Sequence, residues 1–154
     1  MEWAKVLSSV PMATVAELLR FKGHSVETIG PDATVYEAIK RMADLDIGAI
    51  VVTEDSKVVG VITERDYARN VFLRGKASPT TPVHEAMKRD VLAVGLEDTT
   101  RQCMAIMTGK RRRHLLVIEN GELVGILSIG DLVRSIVAEQ DLAIEQLEQY
   151  IHRG

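Results

Sequence analysis

At 154 residues the chain has room for one ordinary domain or for two small halves sharing a core. Its 46% hydrophobic and 27% charged residues suit a soluble globular protein, and with only 4% aromatic residues the core must be built from Val, Ile, Leu, Met and Ala. A net charge of −3 excludes the general attraction to nucleic acid or anionic lipid that a basic surface would supply.

The first residues, MEWAKVLSSVPMATVAELLR, loosely match a secretory leader, with Lys5 ahead of Val6–Val15. That run is broken by Ser8, Ser9 and Pro11 and leads straight into a helix, so residues 1–13 are read as an N-terminal extension. Cys103 is the only cysteine, which rules out an internal disulfide. It sits among apolar residues on a predicted helix and reads as a small buried hydrophobe. No stretch approaches the roughly 20 apolar residues that span a bilayer. These features point to a reducing cytoplasm.

Taken in chain order, Thr14 with Glu17 caps a first helix, Val15–Lys22. A short strand is predicted over Ser25–Ile29. Thr34-Val35-Tyr36-Glu37 is a capping signature, and Val35, Ala38, Ile39 and Met42 then follow helical spacing. A strand at Ala49–Thr53, a turn at Glu54–Lys57 and a strand at Val58–Ile62 form a hairpin that runs into a helix at Thr63. Gly75–Pro82 (GKASPTTP) reads as a linker, and Thr81 with Pro82 starts a helix predicted over Val83–Lys88.

The pattern then repeats. A strand at Val91–Val94 is followed by the capping signature Thr99-Thr100-Arg101-Gln102 and a helix carrying Cys103, Met104 and Met107. Strands at Leu115–Ile118 and Leu123–Leu127 flank a turn at Glu119–Glu122, and a helix begins at Ser128. Laying GVITERD (Gly60–Asp66) on GILSIGD (Gly125–Asp131) places Thr28–Asp66 on Ala93–Asp131 without a gap. Gly30 meets Gly95, Thr34 meets Thr99, Met42 meets Met107 and Asp66 meets Asp131. Chance does not hold register over such a span, so the chain is an internal duplication of a β-α-β-β-α unit. The predicted divisions are an extension at 1–13, a first repeat at 14–75, a linker at 76–82, a second repeat at 83–137 and a helical tail at 138–154.

The candidate chemistry lies in the doubled Gly-apolar-apolar-[Thr/Ser]-x-x-Asp. A strand ending on a hydroxyl residue where a helix starts aims unpaired N–H groups and the positive end of the helix dipole at one spot. That suits a phosphate or a ribose oxygen. Asp66 and Asp131 could accept hydrogen bonds from both hydroxyls of a ribose, since an ionised carboxylate is acceptor-only. The same residues, Thr63 with Asp66 and Ser128 with Asp131, also fit plain helix caps worth about 0.5–2 kcal/mol. Spacing leaves both readings open, because a duplication would copy a cap as faithfully as a site.

Two β-α-β-β-α copies, each closing on this motif, resemble a tandem pair of cystathionine-beta-synthase (CBS) domains, also called a Bateman module. The match covers about Thr14 to Asp131. GVITERDYAR and RRRHLLV resemble small stand-alone bacterial CBS-pair proteins in particular. The resemblance implies an α+β fold of two packed repeats with a long C-terminal helix. It also implies nucleotide clefts between the halves for AMP, ADP, ATP, NAD or S-adenosylmethionine. It places Asp66 and Asp131 on ribose hydroxyls, with Thr63 and Ser128 beside them or on phosphate. Backbone at Gly48-Ala49-Ile50 and Arg113-His114-Leu115 would contact adenine, and Thr28-Ile29 and Ala93-Val94 would close the pockets. Many family members carry Pro where this chain has Val51 and Leu116. The two motifs differ as well, Glu64-Arg65 against Ile129-Gly130, and Arg65 is a candidate phosphate grip in the first half alone.

Lys110-Arg111-Arg112-Arg113 is a basic run that could mark nucleic-acid binding, though four charges on an acidic chain also suit a solvated turn. His24, His84, His114 and His152 show no metal-ligand spacing. There is no phosphate-binding Gly-rich loop, and no nucleophile–base–acid set can be assembled. An enzyme is not expected. From Asp131 to Arg153 neither Gly nor Pro occurs, and Val133, Val137, Ile144, Leu147 and Ile151 recur at three- and four-residue steps around the polar Gln140. Such a seam, on a helix about 33 Å long, is what helix–helix association uses. The reading is a cytoplasmic homodimer that senses an adenine nucleotide as a regulatory ligand and passes the change to an unidentified protein target. The rivals are a ligand-free dimerisation scaffold and a nucleic-acid binder using Lys110–Arg113; no membrane partner is expected.

Overall fold

The computed structural model describes residues 13–153. Of the predicted N-terminal extension, only Ala13 falls among the described residues, and the side chain of His152 lies outside them. In chain order the elements are α1 (Val15–Lys22), β1 (Thr28–Ile29), α2 (Val35–Leu45), β2 (Ala49–Glu54), β3 (Lys57–Thr63) and α3 (Glu64–Tyr67). A wider turn over Ala68–Phe72 and a 3₁₀ turn over Val83–Glu85 follow. The second set is β4 (Ala93–Val94), α4 (Thr100–Lys110), β5 (His114–Glu119), β6 (Glu122–Ser128) and α5 (Ile129–Arg153). This is the α+β pattern, β-α-β-β-α twice with a long last helix, that the duplication predicts.

The described chain forms two compact units, one of residues 25–92 and one joining residues 13–24 to residues 93–153. In each, a three-stranded sheet pairs its short first strand parallel to the next and closes with an antiparallel hairpin. Asp55 and Ser56 in the first turn, and Asn120 and Gly121 in the second, have positive φ. That is the left-handed pair of a tight two-residue hairpin turn, whose twist matches the strands it joins. The 3.6-residue spacing of apolar positions buries one face of each repeat helix: Val35, Ala38 and Met42 on α2, and Cys103 and Met107 on α4. These pack under strand residues buried on both hairpins, among them Ile50, Val52, Ile62, Leu115, Val117 and Leu127.

The segments ahead of the repeats dock in an order that the chain does not suggest. α1 precedes the first repeat but packs on the second. Val15 N–H donates to Asp98 O at 2.8 Å, Ala16 N–H to Leu96 O at 3.0 Å, and Thr100 N–H to Ala13 O at 3.0 Å. In the other unit Val83 N–H donates to Ala33 O at 2.8 Å, His84 N–H to Pro31 O at 3.0 Å, and Val35 N–H to Thr81 O at 2.8 Å. Gly75–Pro82, predicted as a linker, thus lies bonded along the start of α2, with Tyr36 N–H also donating to Ser78 O at 3.1 Å.

Four local expectations are corrected. The helix predicted over Val83–Lys88 is only a 3₁₀ turn, because the chain then extends so that Lys88 and Val61 exchange both backbone hydrogen bonds at 2.9 Å. Thr81 does not cap it; its hydroxyl turns back to Ala77 O at 2.7 Å. The strands predicted over Ser25–Ile29 and Val91–Val94 shorten to two residues each. At Thr34 the hydroxyl accepts from Glu37 N–H at 3.1 Å, whereas the reciprocal bond of a full capping box is present at Thr99 with Gln102.

Candidate functional site

The doubled motif begins on a glycine for a packing reason. A Cβ on Gly60 would stand 2.7 Å from both Lys88 O and Met87 Sδ, and one on Gly125 would stand 2.9 Å from the Leu19 methyls. The glycines are the places where the docked segments cross the hairpins. Both lie opposite the strand bulges, Gly60 across from Val52 and Gly125 across from Val117.

Three residues later each strand runs into a helix, and the capping interpretation is realised in full. Thr63 N–H donates to Asp66 Oδ2 at 2.9 Å, and Asp66 N–H donates back to Thr63 Oγ1 at 3.1 Å. Ser128 N–H donates to Asp131 Oδ2 at 2.7 Å, and Asp131 N–H donates to Ser128 Oγ at 3.2 Å. The first helical N–H of each half is also taken, by Gly48 O at 3.1 Å from Glu64 and by Arg113 O at 2.8 Å from Ile129. Three of the backbone donors at each helix start therefore already have partners.

Both carboxylates are buried, Asp66 to 1% exposure, and each is paired to a lysine from the docked segment. Lys88 Nζ lies 2.7 Å from Asp66 Oδ1, and Lys22 Nζ lies 2.6 Å from Asp131 Oδ2. Lys22 also donates to Ile126 O at 2.5 Å, and Arg134 reaches Asp131 Oδ1 at 2.8 Å. Burial by itself would raise the Asp131 carboxyl. The hydrogen bonds from Lys22 and the Ser128 backbone, with the Lys22 charge, outweigh it and hold the group below the ordinary carboxylate range. The lysines were missed from the sequence because they stand 22 and 109 positions from their partners, and no local spacing connects them.

The other expected site residues gather along the same strand ends. Ala49 pairs with Thr63 and His114 with Ser128. Thr28 and Ile29 pair with Val51 and Val52, and Ala93 and Val94 with Leu116 and Val117. Ile29, Ala49, Ile50, Val94 and Leu115 are core side chains, leaving only their backbone to meet a ligand. Thr28, Arg65, Ala93 and Arg113 are exposed, and Gly48 and His114 are half-buried. Arg65 makes no ion pair among the described residues. At Val51 the backbone N–H donates to Glu27 O at 3.1 Å, a bond that a proline at this position could not make.

The remaining motifs resolve locally. Lys110 closes α4 and Arg111 is its left-handed cap, so the basic run sits where a helix dipole favours positive charge. Cys103 is buried, and burial together with the nearby Asp98 pushes its thiol up to about 11. Among the described residues no cluster of His, Cys, Asp or Glu could hold a metal ion. No described helix is long and apolar enough to cross a membrane.

The CBS domain model matches residues 15–72 and again 78–138. The CBS domain-containing protein CBSX3, mitochondrial, of Arabidopsis thaliana is 34% identical over 156 residues, covering 96% of this chain and 76% of its own. A solved structure from Burkholderia ambifaria, described as a signal-transduction protein with CBS domains, is 44% identical with a TM-score of 0.80, covering 83% of this chain and 96% of that one. A CBS-domain containing protein from Agrobacterium tumefaciens is 46% identical with a TM-score of 0.76, covering 80% and 94%. These relatives are described as CBS domain or signal-transduction proteins and not as enzymes. With two matched copies over most of its length, the chain belongs to the CBS domain family, as a tandem pair of these regulatory modules.

Proposed function

We propose that the chain binds an adenine nucleotide, AMP, ADP, ATP or NAD, at its two strand-to-helix junctions and acts as a cytoplasmic ligand sensor without catalysis. The observation that carries this is the doubled buried carboxylate. Asp66 and Asp131 stand beside a hydroxyl and a helix start, each with a cation alongside. Ribose hydroxyls donate to the carboxylate, and the strand-end backbone at Gly48–Ile50 and Arg113–Leu115 meets the base. In the first half Arg65, exposed next to Asp66, grips phosphate, so Arg65→Ala weakens nucleotide binding there and not at the second junction. A bound ligand shifts the module only as far as it favours one arrangement over another.

Thermal denaturation with AMP, ADP, ATP, NAD and S-adenosylmethionine tests this. A ligand at a hundred times its dissociation constant adds about 2.7 kcal/mol. No shift with any of them favours the second reading, a ligand-free dimerisation scaffold. That reading draws on the internal bonds that both carboxylates already make. The homodimer forms through α5, whose Val133, Val137, Ile144 and Ile151 are exposed, and a protein target reads the change.

A further inference from the structure

An ionised carboxylate offers about four lone-pair positions. Asp131 has three occupied, by Ser128 N–H, Lys22 Nζ and Arg134 Nη2. Asp66 also has three occupied, by Thr63 N–H, Thr63 Oγ1 and Lys88 Nζ. A vicinal diol brings two O–H donors, so one present donor must leave. The backbone N–H groups are fixed by the helix caps. The movable donors are Lys88 at Asp66 and, at Asp131, Lys22 together with Arg134: the lysine side chains are 37% and 30% exposed and that of Arg134 74%, so each can swing toward solvent. Displacing Lys88 removes the countercharge of buried Asp66, and displacing Lys22 leaves buried Asp131 with the largely solvated Arg134 alone, which is strongly unfavourable unless the charge is compensated nearby. A neutral riboside supplies only hydroxyls. A riboside that carries its own anionic group gives the released ammonium a new partner within reach of the old one.

We propose that Lys22 and Lys88 are the specificity-determining residues of the two junctions. Each occupies the diol-accepting carboxylate as an internal competitor and yields only to a riboside that brings an anionic group. The inference rests on the adenine-nucleotide reading above and adds the selection of nucleotide over nucleoside. The pairing recurs although the two lysines arrive on different backbones, one at the end of a helix and one on an extended strand bridge. Each is steered to its carboxylate by the segment that crosses the motif glycine.

Calorimetric titration of adenosine and AMP into the full chain, its Lys22→Met and Lys88→Met variants and the double variant tests it. Lys22→Gln and Lys88→Gln, which keep a hydrogen-bond donor, serve alongside, with melting curves confirming that each variant folds. The expected result is that the original chain prefers AMP over adenosine by about tenfold or more, 1.4 kcal/mol per decade. In each variant adenosine binds more tightly and AMP less, so that the preference falls toward unity at the altered junction. An unchanged preference in folded variants that still bind overturns the lysine assignment and leaves the nucleotide reading standing. Failure of the original chain and every variant to bind either compound overturns both.

Discussion

Lys22 is held by Asp131 at 2.6 Å, and at the other end of the same helix Ala13 N–H donates to Glu139 Oε1 at 2.7 Å. One helix, α5, thus clasps both ends of α1. The eight residue steps of α5 from Asp131 to Glu139 span about 12 Å, the length of the eight-residue α1. Glu139 also accepts from Thr100 Oγ1 at 3.3 Å and lies 3.8 Å from Arg101 Nε. The start of α5 is therefore tied into its own unit by Asp131 and Glu139, while Val133 and Val137 stay exposed along with Ile144 and Ile151 of the distal stretch. Truncation after Gln140, which keeps Glu139, is expected to convert a dimer to a monomer in sedimentation while lowering the melting temperature little. An unaltered dimer rules out the distal tail.

The Asp131 carboxyl lies below its ordinary value of 3.8 in the folded chain. Between the two values the unfolded chain binds more protons than the folded one, so stability rises with pH. The contribution is complete above 3.8 and is lost as pH falls through the folded value. Melting temperature followed from about pH 5 down to about pH 2 should fall less steeply for Asp131→Asn than for the original chain. Parallel curves would show that the carboxylate is not coupled to folding.

Removal of either carboxylate tests cap and site together. Asp66→Ala strips a capping box and orphans Lys88, and is expected to destabilise by about 1–3 kcal/mol in urea unfolding. If the residue is also a ribose acceptor, AMP affinity measured well below the melting point falls at least about tenfold. A variant that loses stability and retains affinity is a cap and nothing more.

The two motif glycines should respond unequally to alanine. At Gly60 the added methyl meets backbone, Lys88 O, whereas at Gly125 it meets only the ends of a leucine side chain. Overpacking against a fixed group is the costlier case. Gly60→Ala is expected to lower stability by about 2–3 kcal/mol and Gly125→Ala by about 1 kcal/mol, read from denaturant midpoints.

With its thiol buried and pushed up to about 11, Cys103 should resist alkylation by iodoacetamide near neutral pH and react only on unfolding. Rapid modification of the native chain would show that α4 opens.

The sequence alone determined the repeat, both hairpins, the caps at Thr14, Thr34, Thr63, Thr99 and Ser128, and the buried faces of α2 and α4. Each depends on contacts between residues a few positions apart or on a periodicity that the chain displays openly. It also marked Thr63, Asp66, Ser128 and Asp131, since a cap and a candidate site share one short motif. Tertiary structure decided the rest. α1 sits on the second repeat, Val83–Lys88 extends instead of coiling, Gly60 and Gly125 serve as crossing points, and Lys22 and Lys88 reach the two carboxylates. These outcomes follow from docking across tens of positions, where backbone hydrogen bonds and a lysine paired with a buried carboxylate in each unit outweigh local propensity, and no short-range pattern records them. The doubled motif was visible from the start; the lysine opposite each carboxylate was not.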